Sequence, residues 1–216
     1  GFVVDLTQDA TELDLVSVSA QRWDAIDVEL RPPAFGDSEA AAGVLDTEVL
    51  AMEQAGASYL VEGVAHHTQS GRNVEFSFPI DLEAAYLNCT NGEDGGQGLV
   101  VERSATTPLR FNFHIEHLFY ADLGAEQPEL RFEAIAAMAD ASDEISWEAL
   151  RGQRLSDLRD ADGNPLTDVD GSPVVYDPAG MQLPSLDMQA FVREASRTQL
   201  HLNGHGLCTI SAPTGE

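Results

Sequence analysis

In the stretch Leu109-Arg110-Phe111-Asn112-Phe113-His114-Ile115, apolar residues recur at every second position. This spacing is typical of a β-strand with one buried face, because successive side chains point to opposite sides of a strand. Residues 59–65 and 74–80 alternate in the same way on either side of turn residues 70–73. Two alternating runs joined by a short turn predict a β-hairpin. The sequence is therefore expected to be rich in antiparallel strands.

Further elements extend this pattern along the chain. Alternation also predicts strands at residues 13–19 and 25–31. Apolar residues at helical spacing predict helices at residues 45–54, 130–138 and 187–202 and, less regularly, at residues 147–159. Asp187 is the expected N-cap of the last helix, because its carboxylate can accept a hydrogen bond from a backbone N–H in the first turn.

The order of these elements predicts an α+β fold. Strands dominate residues 1–115, whereas residues 116–203 are helical in pattern. We expect an antiparallel β-sandwich to form the larger part and the helical segment to be a C-terminal insertion. The whole chain, residues 1–216, is interpreted as a single domain in which residues 204–216 return to the β core or form a tail.

The charge of the chain limits its partners. Its 216 residues contain 37 Asp and Glu against 11 basic residues, all of them arginine, for a formal net charge of −26. Such a field repels nucleic acid and anionic membrane surfaces and attracts cations. No apolar run reaches the length of a membrane span. Because Gly1-Phe2-Val3-Val4-Asp5-Leu6 resembles the middle of a strand, we expect a processed or trimmed N-terminus.

The two cysteines, Cys89 and Cys208, both lie in turn-like sequence contexts. They form either a disulfide or two unrelated buried thiols. The disulfide is the favoured interpretation, because both cysteines lie near loops and we expect an extracytoplasmic location, which is secreted, periplasmic or at the cell surface.

The histidines suggest a transition-metal site. His114 lies on the polar face of its strand, and a helical turn after Ile115 would bring His117 close to it. His201 and His205 are four residues apart near the C-terminus. We predict a site of His114, His117 and His201, with Glu116 or His205 as a further ligand, for zinc or copper. The alternative is a set of histidines that are solvated or bonded to neighbouring carboxylates.

Residues 138–149 resemble a degenerate EF-hand loop. Ile145 fits the hydrophobic position of such a loop, and Asp140 and Asp143 fall within it. The first and last ligand positions are not acidic, so Glu148 would have to replace the missing bidentate ligand. The alternatives are a calcium site and a helix–loop–helix that is held together by apolar packing alone.

A second acidic segment, residues 160–171, offers another calcium site. Its candidate oxygen ligands are Asp160, Asp162, Asn164 and Asp168. The same residue types also favour ordinary tight turns, so a structural interpretation stays open.

The run Phe113-His114-Ile115-Glu116-His117-Leu118-Phe119-Tyr120-Ala121-Asp122-Leu123 resembles a group of uncharacterised, acidic, secreted or lipid-anchored bacterial proteins. Members carry an H-x-x-H-L-F-Y-x-D-L run, then an acidic EF-hand-like helix–loop–helix, then a late histidine before a closing cysteine. The resemblance implies export, a Cys89–Cys208 bridge and a histidine metal site. The calcium loop departs from the group because its first and last ligands are missing here.

No catalytic motif stands out in the sequence. It contains no nucleophile elbow, phosphate-binding loop, H-E-x-x-H or C-x-x-C pattern. We therefore expect a non-enzymatic, exported metal-binding protein. One alternative is a surface or filament subunit that assembles by β-strand pairing and whose loops calcium stiffens. The other is a metal-dependent hydrolase with an open coordination position.

Overall fold

The computed structural model describes residues 1–8, 10–13, 15–34, 38–67, 71–92, 96 and 98–211. The fold is mixed α+β, with short strands in several small sheets, most of them antiparallel, and few helices. This confirms the predicted α+β class. The closure of these sheets into a β-sandwich stays a prediction.

The elements are short, as their bounds show. The strands are β1 (Phe2–Val3), β2 (Arg22–Trp23), β3 (Val28–Leu30), β4 (Glu39–Ala40), β5 (Tyr59–His66), β6 (Asn73–Ile80), β7 (Ala84–Leu87), β8 (Leu99–Val100), β9 (Phe111–Phe113), β10 (Glu144–Ser146), β11 (Leu200–Leu202) and β12 (Thr209–Ser211). The helices are α1 (Asp46–Ala55), α2 (Glu133–Ala136) and α3 (Met188–Arg197), with 3₁₀ helices at Ile115–Phe119 and Glu148–Gly152. Among the described residues, none of the helices combines the length and apolar character that a membrane span requires.

The chain divides into two compact units. The first comprises Gly1–Ser58, Asp81–Ile115 and Arg197–Glu216, and the second comprises Tyr59–Ile80 and Glu116–Ser196.

The first unit contains an antiparallel sheet in the order β12-β7-β3 and the antiparallel pair β9-β11. Its core includes Tyr86 of β7 and Leu200 and Leu202 of β11, which are all buried. Helix α1 confirms the prediction for residues 45–54 and ends at Gly56, whose φ of 62° closes the helix in the left-handed region.

The strand predicted at residues 13–19 is wrong. The described residues there form no strand, and Leu15 and Val16 are 85% and 82% exposed. Alternation stabilises a strand only where a neighbouring strand pairs with it and covers its apolar face. By contrast, the strand predicted at residues 25–31 survives in part as β3, because Val28 and Leu30 pair with β7.

The second unit contains the predicted hairpin. Strands β5 and β6 pair antiparallel from Tyr59 opposite Ile80 to His66 opposite Asn73. Gly63 lies opposite Phe76, and a Cβ at Gly63 would come within 2.7 Å of the Phe76 ring, so the missing side chain makes room for it. Strand β10 extends the sheet by pairing parallel to β6. The turn predicted at residues 70–73 includes Ser70, which lies outside the described residues.

The helical predictions for the second half are partly wrong. Residues 130–138 form only the four-residue α2, and residues 147–159 form only the 3₁₀ helix Glu148–Gly152. Gln153, which is 2% exposed, explains why the helix stops. Its side-chain amide donates to the carbonyl oxygen of Arg159 (2.7 Å) and its Oε1 accepts the Arg159 N–H (2.9 Å), which holds the chain in a loop.

Helix α3 confirms the last helical prediction except at its end. Asp187 caps it as expected, since its Oδ1 accepts the backbone N–H of Ala190 at 3.0 Å. Phe191 and Val192 are buried on the apolar face. The helix ends at Arg197 and not at residue 202, because residues 200–202 form β11 and pair with β9 instead.

Candidate metal centre

The pairing of β9 with β11 determines where two of the histidines lie. In this antiparallel pair Leu200 faces Phe113 and His201 faces Asn112. One face of the pair is apolar: Leu200 is buried in the core, and Phe113 packs against that core. His114 follows β9 directly, so period-two alternation places it with His201 on the other face. The predicted division into an apolar and a polar face therefore holds for Phe111–Phe113, the part of the stretch 109–115 that forms a strand, whereas Leu109 and Ile115 are exposed.

A tight turn after β9 then brings His117 close to His114. Residues Ile115–Phe119 form a 3₁₀ helix, and Leu118, which is buried, anchors it. One ligand atom from each of His114, Glu116 and His117 lies within 4.8 Å of the others. Because these residues belong to one four-residue segment, their proximity follows from the local backbone alone. Among the described residues, this is the one group of three histidine, cysteine or carboxylate side chains that lie close enough together to bind a metal ion.

An aromatic ring borders this group. The ring of Tyr120 lies 4.4 Å from that of His117, centre to centre. Burial raises the pKa of the Tyr120 hydroxyl, and the negative charge of Glu116 raises it further. The Glu116 carboxylate is therefore close enough to act electrostatically on this side of the segment.

Both C-terminal histidines lie beside His114. The ring centres of His114 and His201 are 4.9 Å apart, with the ring planes at 85°. The ring of His205 is 5.4 Å from that of His114, with an angle of 25° between the planes. His201 and His205 are 6.4 Å from each other. The structure thus brings together the three histidines that the sequence analysis selected in this unit.

The turn that carries His205 is fixed against the β9 region by hydrogen bonds. Asn203 has a φ of 45°, in the left-handed region that asparagine tolerates better than most residues. Its Oδ1 accepts the backbone N–H of Arg110 at 2.9 Å. The next residue, Gly204, donates its N–H to Oδ1 of Asn112 at 2.8 Å. These hydrogen bonds hold the backbone that leads to His205 next to Arg110 and Asn112.

The cysteines form the favoured disulfide. Cys89 and Cys208 are bonded across a sequence separation of 119 residues. Cys89 is fully buried in the core of the first unit. Next to the bridge, Thr90 donates its N–H to the Leu207 carbonyl oxygen (2.8 Å), and Leu207 donates its N–H to Thr90 Oγ1 (2.9 Å). The disulfide thus holds the segment that follows the His205 turn.

The structure does not confirm an EF-hand at residues 138–149. An EF-hand needs an α-helix on each side of its loop, but here the chain forms the four-residue α2 before the loop and β10 and a 3₁₀ helix after it. Asp143 pairs with Arg72, with Nη2 and Oδ1 2.6 Å apart. Oδ1 of Asp140 accepts the backbone N–H of Ser142 at 2.8 Å. Glu148 is exposed at the start of the 3₁₀ helix.

The second acidic segment forms turns that its own carboxylates stabilise. Oδ1 of Asp160 accepts the backbone N–H groups of Asp162 (3.0 Å) and Asn164 (2.8 Å). The hydrogen bond from the Asn164 N–H is the main cause that lowers the pKa of Asp160 below its ordinary value. In the same way, Oδ1 of Asp168 accepts the Ser172 N–H (2.9 Å), which is the main cause of its lowered pKa.

Asp140, Asp160 and Asp168 each begin a turn of the same type. After Asp140, Asp160 and Asp168, the backbone N–H groups two and four residues later both donate to Oδ1 of the aspartate. The residue three positions later has a positive φ in each case: Asp143 (62°), Gly163 (83°) and Gly171 (78°). The aspartates therefore act as turn formers. Calcium at these loops stays a prediction.

One residue near the histidines gave no signal in the sequence. Gln199 lies immediately before β11 and accepts the backbone N–H of His114 through its carbonyl oxygen at 2.9 Å. It is 1% exposed. Sequence reasoning assigned it to the end of a helix, and only the strand register shows that it lies opposite His114.

Comparisons with known proteins do not identify a function for this site. No protein-family model, no curated protein and no solved structure matches the chain. The chemistry of the site is therefore interpreted from its residues and their geometry.

Proposed function

We propose that this chain is an exported protein that binds one transition-metal ion, zinc or copper, through His114, Glu116, His117 and a C-terminal histidine. The observation that carries the proposal is the convergence of two imidazoles and a carboxylate within 4.8 Å. Imidazole and carboxylate groups are the ligands that zinc and copper take in proteins. The resemblance of residues 113–123 to a group of bacterial proteins also implies a histidine metal site. This resemblance remains part of the proposal.

The distances between the ring centres decide how many of the C-terminal histidines can bind the same ion as His114. Two imidazoles on one tetrahedral zinc ion, with Zn–N distances near 2.0–2.1 Å, place their ring centres about 5 Å apart. The His114–His201 distance of 4.9 Å and the His114–His205 distance of 5.4 Å both fit this value. The His201–His205 distance of 6.4 Å does not. One of the two therefore shares a tetrahedral ion with His114.

His201 is the better ligand of the two. A metal ion lies in the plane of each imidazole that binds it, because the nitrogen lone pair lies in the ring plane. The planes of His114 and His201 cross at 85°, so they meet along a line close to both rings. The planes of His114 and His205 differ by 25° and converge only slowly. His205 is then a neighbour of the site that could replace His201 after a side-chain rotation.

The disulfide supports the export part of the proposal. Disulfides persist in oxidising compartments such as the periplasm and the extracellular space, and they are rare in the cytosol. The Cys89–Cys208 bridge and the acidic composition fit an extracytoplasmic protein that handles cations. A β-sandwich frame, calcium at the acidic turns and assembly through strand pairing are further parts of the proposal that need separate tests.

A metal-dependent hydrolase is the alternative function of the same residues. Such an enzyme leaves one coordination position open for water, whereas a binding protein can fill all four with side chains. His114, Glu116, His117 and His201 would together supply four ligands. This donor set favours a closed binding site over a catalytic one.

A titration of chelated protein tests the proposal. Zinc or copper should bind at one ion per chain and raise the melting temperature. The variants His114→Ala and His117→Ala should lose this binding, whereas His67→Ala, an exposed histidine of the β-hairpin region, should retain it. Equal metal affinity in the wild type and in His114→Ala, or no binding of either ion, would exclude the proposed site.

A further inference from the structure

The strand register places Gln199 beside the histidines. Since Leu200 faces Phe113, the next pair outward in the antiparallel ladder is Gln199 with His114. The hydrogen bond from the His114 N–H to the Gln199 carbonyl oxygen, 2.9 Å long, shows that the ladder continues to this pair. Side chains directly opposite each other in such a pair stand on the same face, with Cβ atoms about 4.5–5.5 Å apart. The carboxamide of Gln199 therefore lies on the face that carries His114 and His201.

This carboxamide is buried and has no hydrogen-bond partner among the described residues. Gln199 is 1% exposed, and neither its Oε1 nor its Nε2 bonds to any residue that the structure describes. Buried polar groups are almost always bonded, because burial without a partner costs the full desolvation of the group. Gln153, which is 2% exposed, shows the usual case: its side chain makes hydrogen bonds with Arg159 through both its oxygen and its nitrogen.

We infer that Gln199 is a positioning residue of the metal centre, and that its Oε1 accepts a hydrogen bond from the N–H of the His114 imidazole nitrogen that does not bind the ion. The inference rests on the proposed function. Residues in contact with the ligands or water of a metal ion commonly change its affinity by about 10–100-fold when they are removed. When one nitrogen of the His114 imidazole binds the ion, the other nitrogen carries a proton, and the buried amide directly opposite His114 is well placed to accept its hydrogen bond.

The variants Gln199→Met and Gln199→Glu test this role. Methionine has a similar shape but no strong acceptor, so metal affinity should fall about 10–100-fold. The metal-free protein should melt about 2–6 °C higher, because an unpartnered amide is no longer buried. Glutamate keeps an oxygen acceptor at the same position, and its negative charge favours a nearby cation, so metal affinity should be at least that of the wild type. The visible spectrum of the Co²⁺-substituted protein should change in Gln199→Met and stay close to that of the wild type in Gln199→Glu.

Gln153→Met is the matched control. It removes a buried glutamine whose amide is fully bonded, so it should lower the melting temperature and leave metal affinity and the Co²⁺ spectrum unchanged. If the wild type binds metal and Gln199→Met binds it with the same affinity and spectrum, the inference is overturned while the proposed function stands. If the wild type binds no transition metal, the proposed function fails, and this inference fails with it.

Discussion

Removal of the disulfide should destabilise the first unit strongly. The bridge joins Cys89 and Cys208 across 119 residues. In the chain-entropy model, a cross-link that closes a loop of this length lowers the entropy of the unfolded chain by an amount worth about 5 kcal/mol at room temperature. The perturbation is the double variant Cys89→Ala/Cys208→Ala. Alanine is preferable to serine because Cys89 is fully buried and a hydroxyl there would need a partner.

The expected loss of about 5 kcal/mol is large relative to the total free energy of unfolding. Natural domains are stable by only about 5–15 kcal/mol, and for a chain of this size about 5 kcal/mol corresponds to a fall in melting temperature of about 10–20 °C. Both cysteines lie in the first unit. The tertiary signal of Trp23, which belongs to that unit, should therefore report the loss directly in a variant that lacks Trp147.

Equilibrium unfolding in guanidinium chloride, with and without a dithiol reductant, measures the effect. The reductant should destabilise the wild type to the level of the double variant and leave the double variant unchanged. A wild type that is insensitive to reduction, together with a double variant within about 1 kcal/mol of it, would refute the reasoning.

Further changes test the turns. Gly206→Ala should destabilise the protein by more than about 3 kcal/mol, because a Cβ there would collide with the Thr90 carbonyl oxygen. Gly152→Ala should cost far less, since its Cβ would meet the flexible end of a methionine side chain; similar melting temperatures for the two variants would contradict this. Asp160 and Asp168 have folded pKa values below the ordinary 3.8. Their contribution to stability is therefore fully present above about pH 3.8, and it is lost as the pH falls through the lower folded pKa values. Melting temperatures between about pH 2 and pH 6 should therefore fall more steeply in acid for the wild type than for Asp160→Asn/Asp168→Asn, and parallel curves would show that these carboxylates do not matter.

The hairpin and the helices show what local pattern can predict in this chain. The strands at 59–65 and 74–80 were predictable because both partners are long and adjacent in sequence. The strand at 13–19 was not, because Leu15 and Val16 are both exposed and no strand in the described part of the chain pairs with this run. The end of α3 was missed because pairing with β9 outweighs helical spacing at residues 200–202.

The histidine site was predictable only in part for a similar physical reason. His114 and His117 are close in sequence, so a single turn decides their distance, and period-two alternation fixed the face on which His114 lies. The approach of His201 depends on the register of β9 with β11, which no local pattern contains. Gln199 was missed for the same reason. Asp160 and Asp168 suggested ion ligands, although backbone N–H groups occupy their Oδ1 atoms.

Native mass spectrometry of the purified protein tests the central claim most directly. The account predicts a mass increase of one zinc or copper ion per chain, present in the wild type and in His67→Ala and lost in His114→Ala/His117→Ala. A wild-type chain that carries no transition metal after exposure to either ion, or a double variant that keeps it, would contradict the assignment of the metal centre to His114, Glu116 and His117.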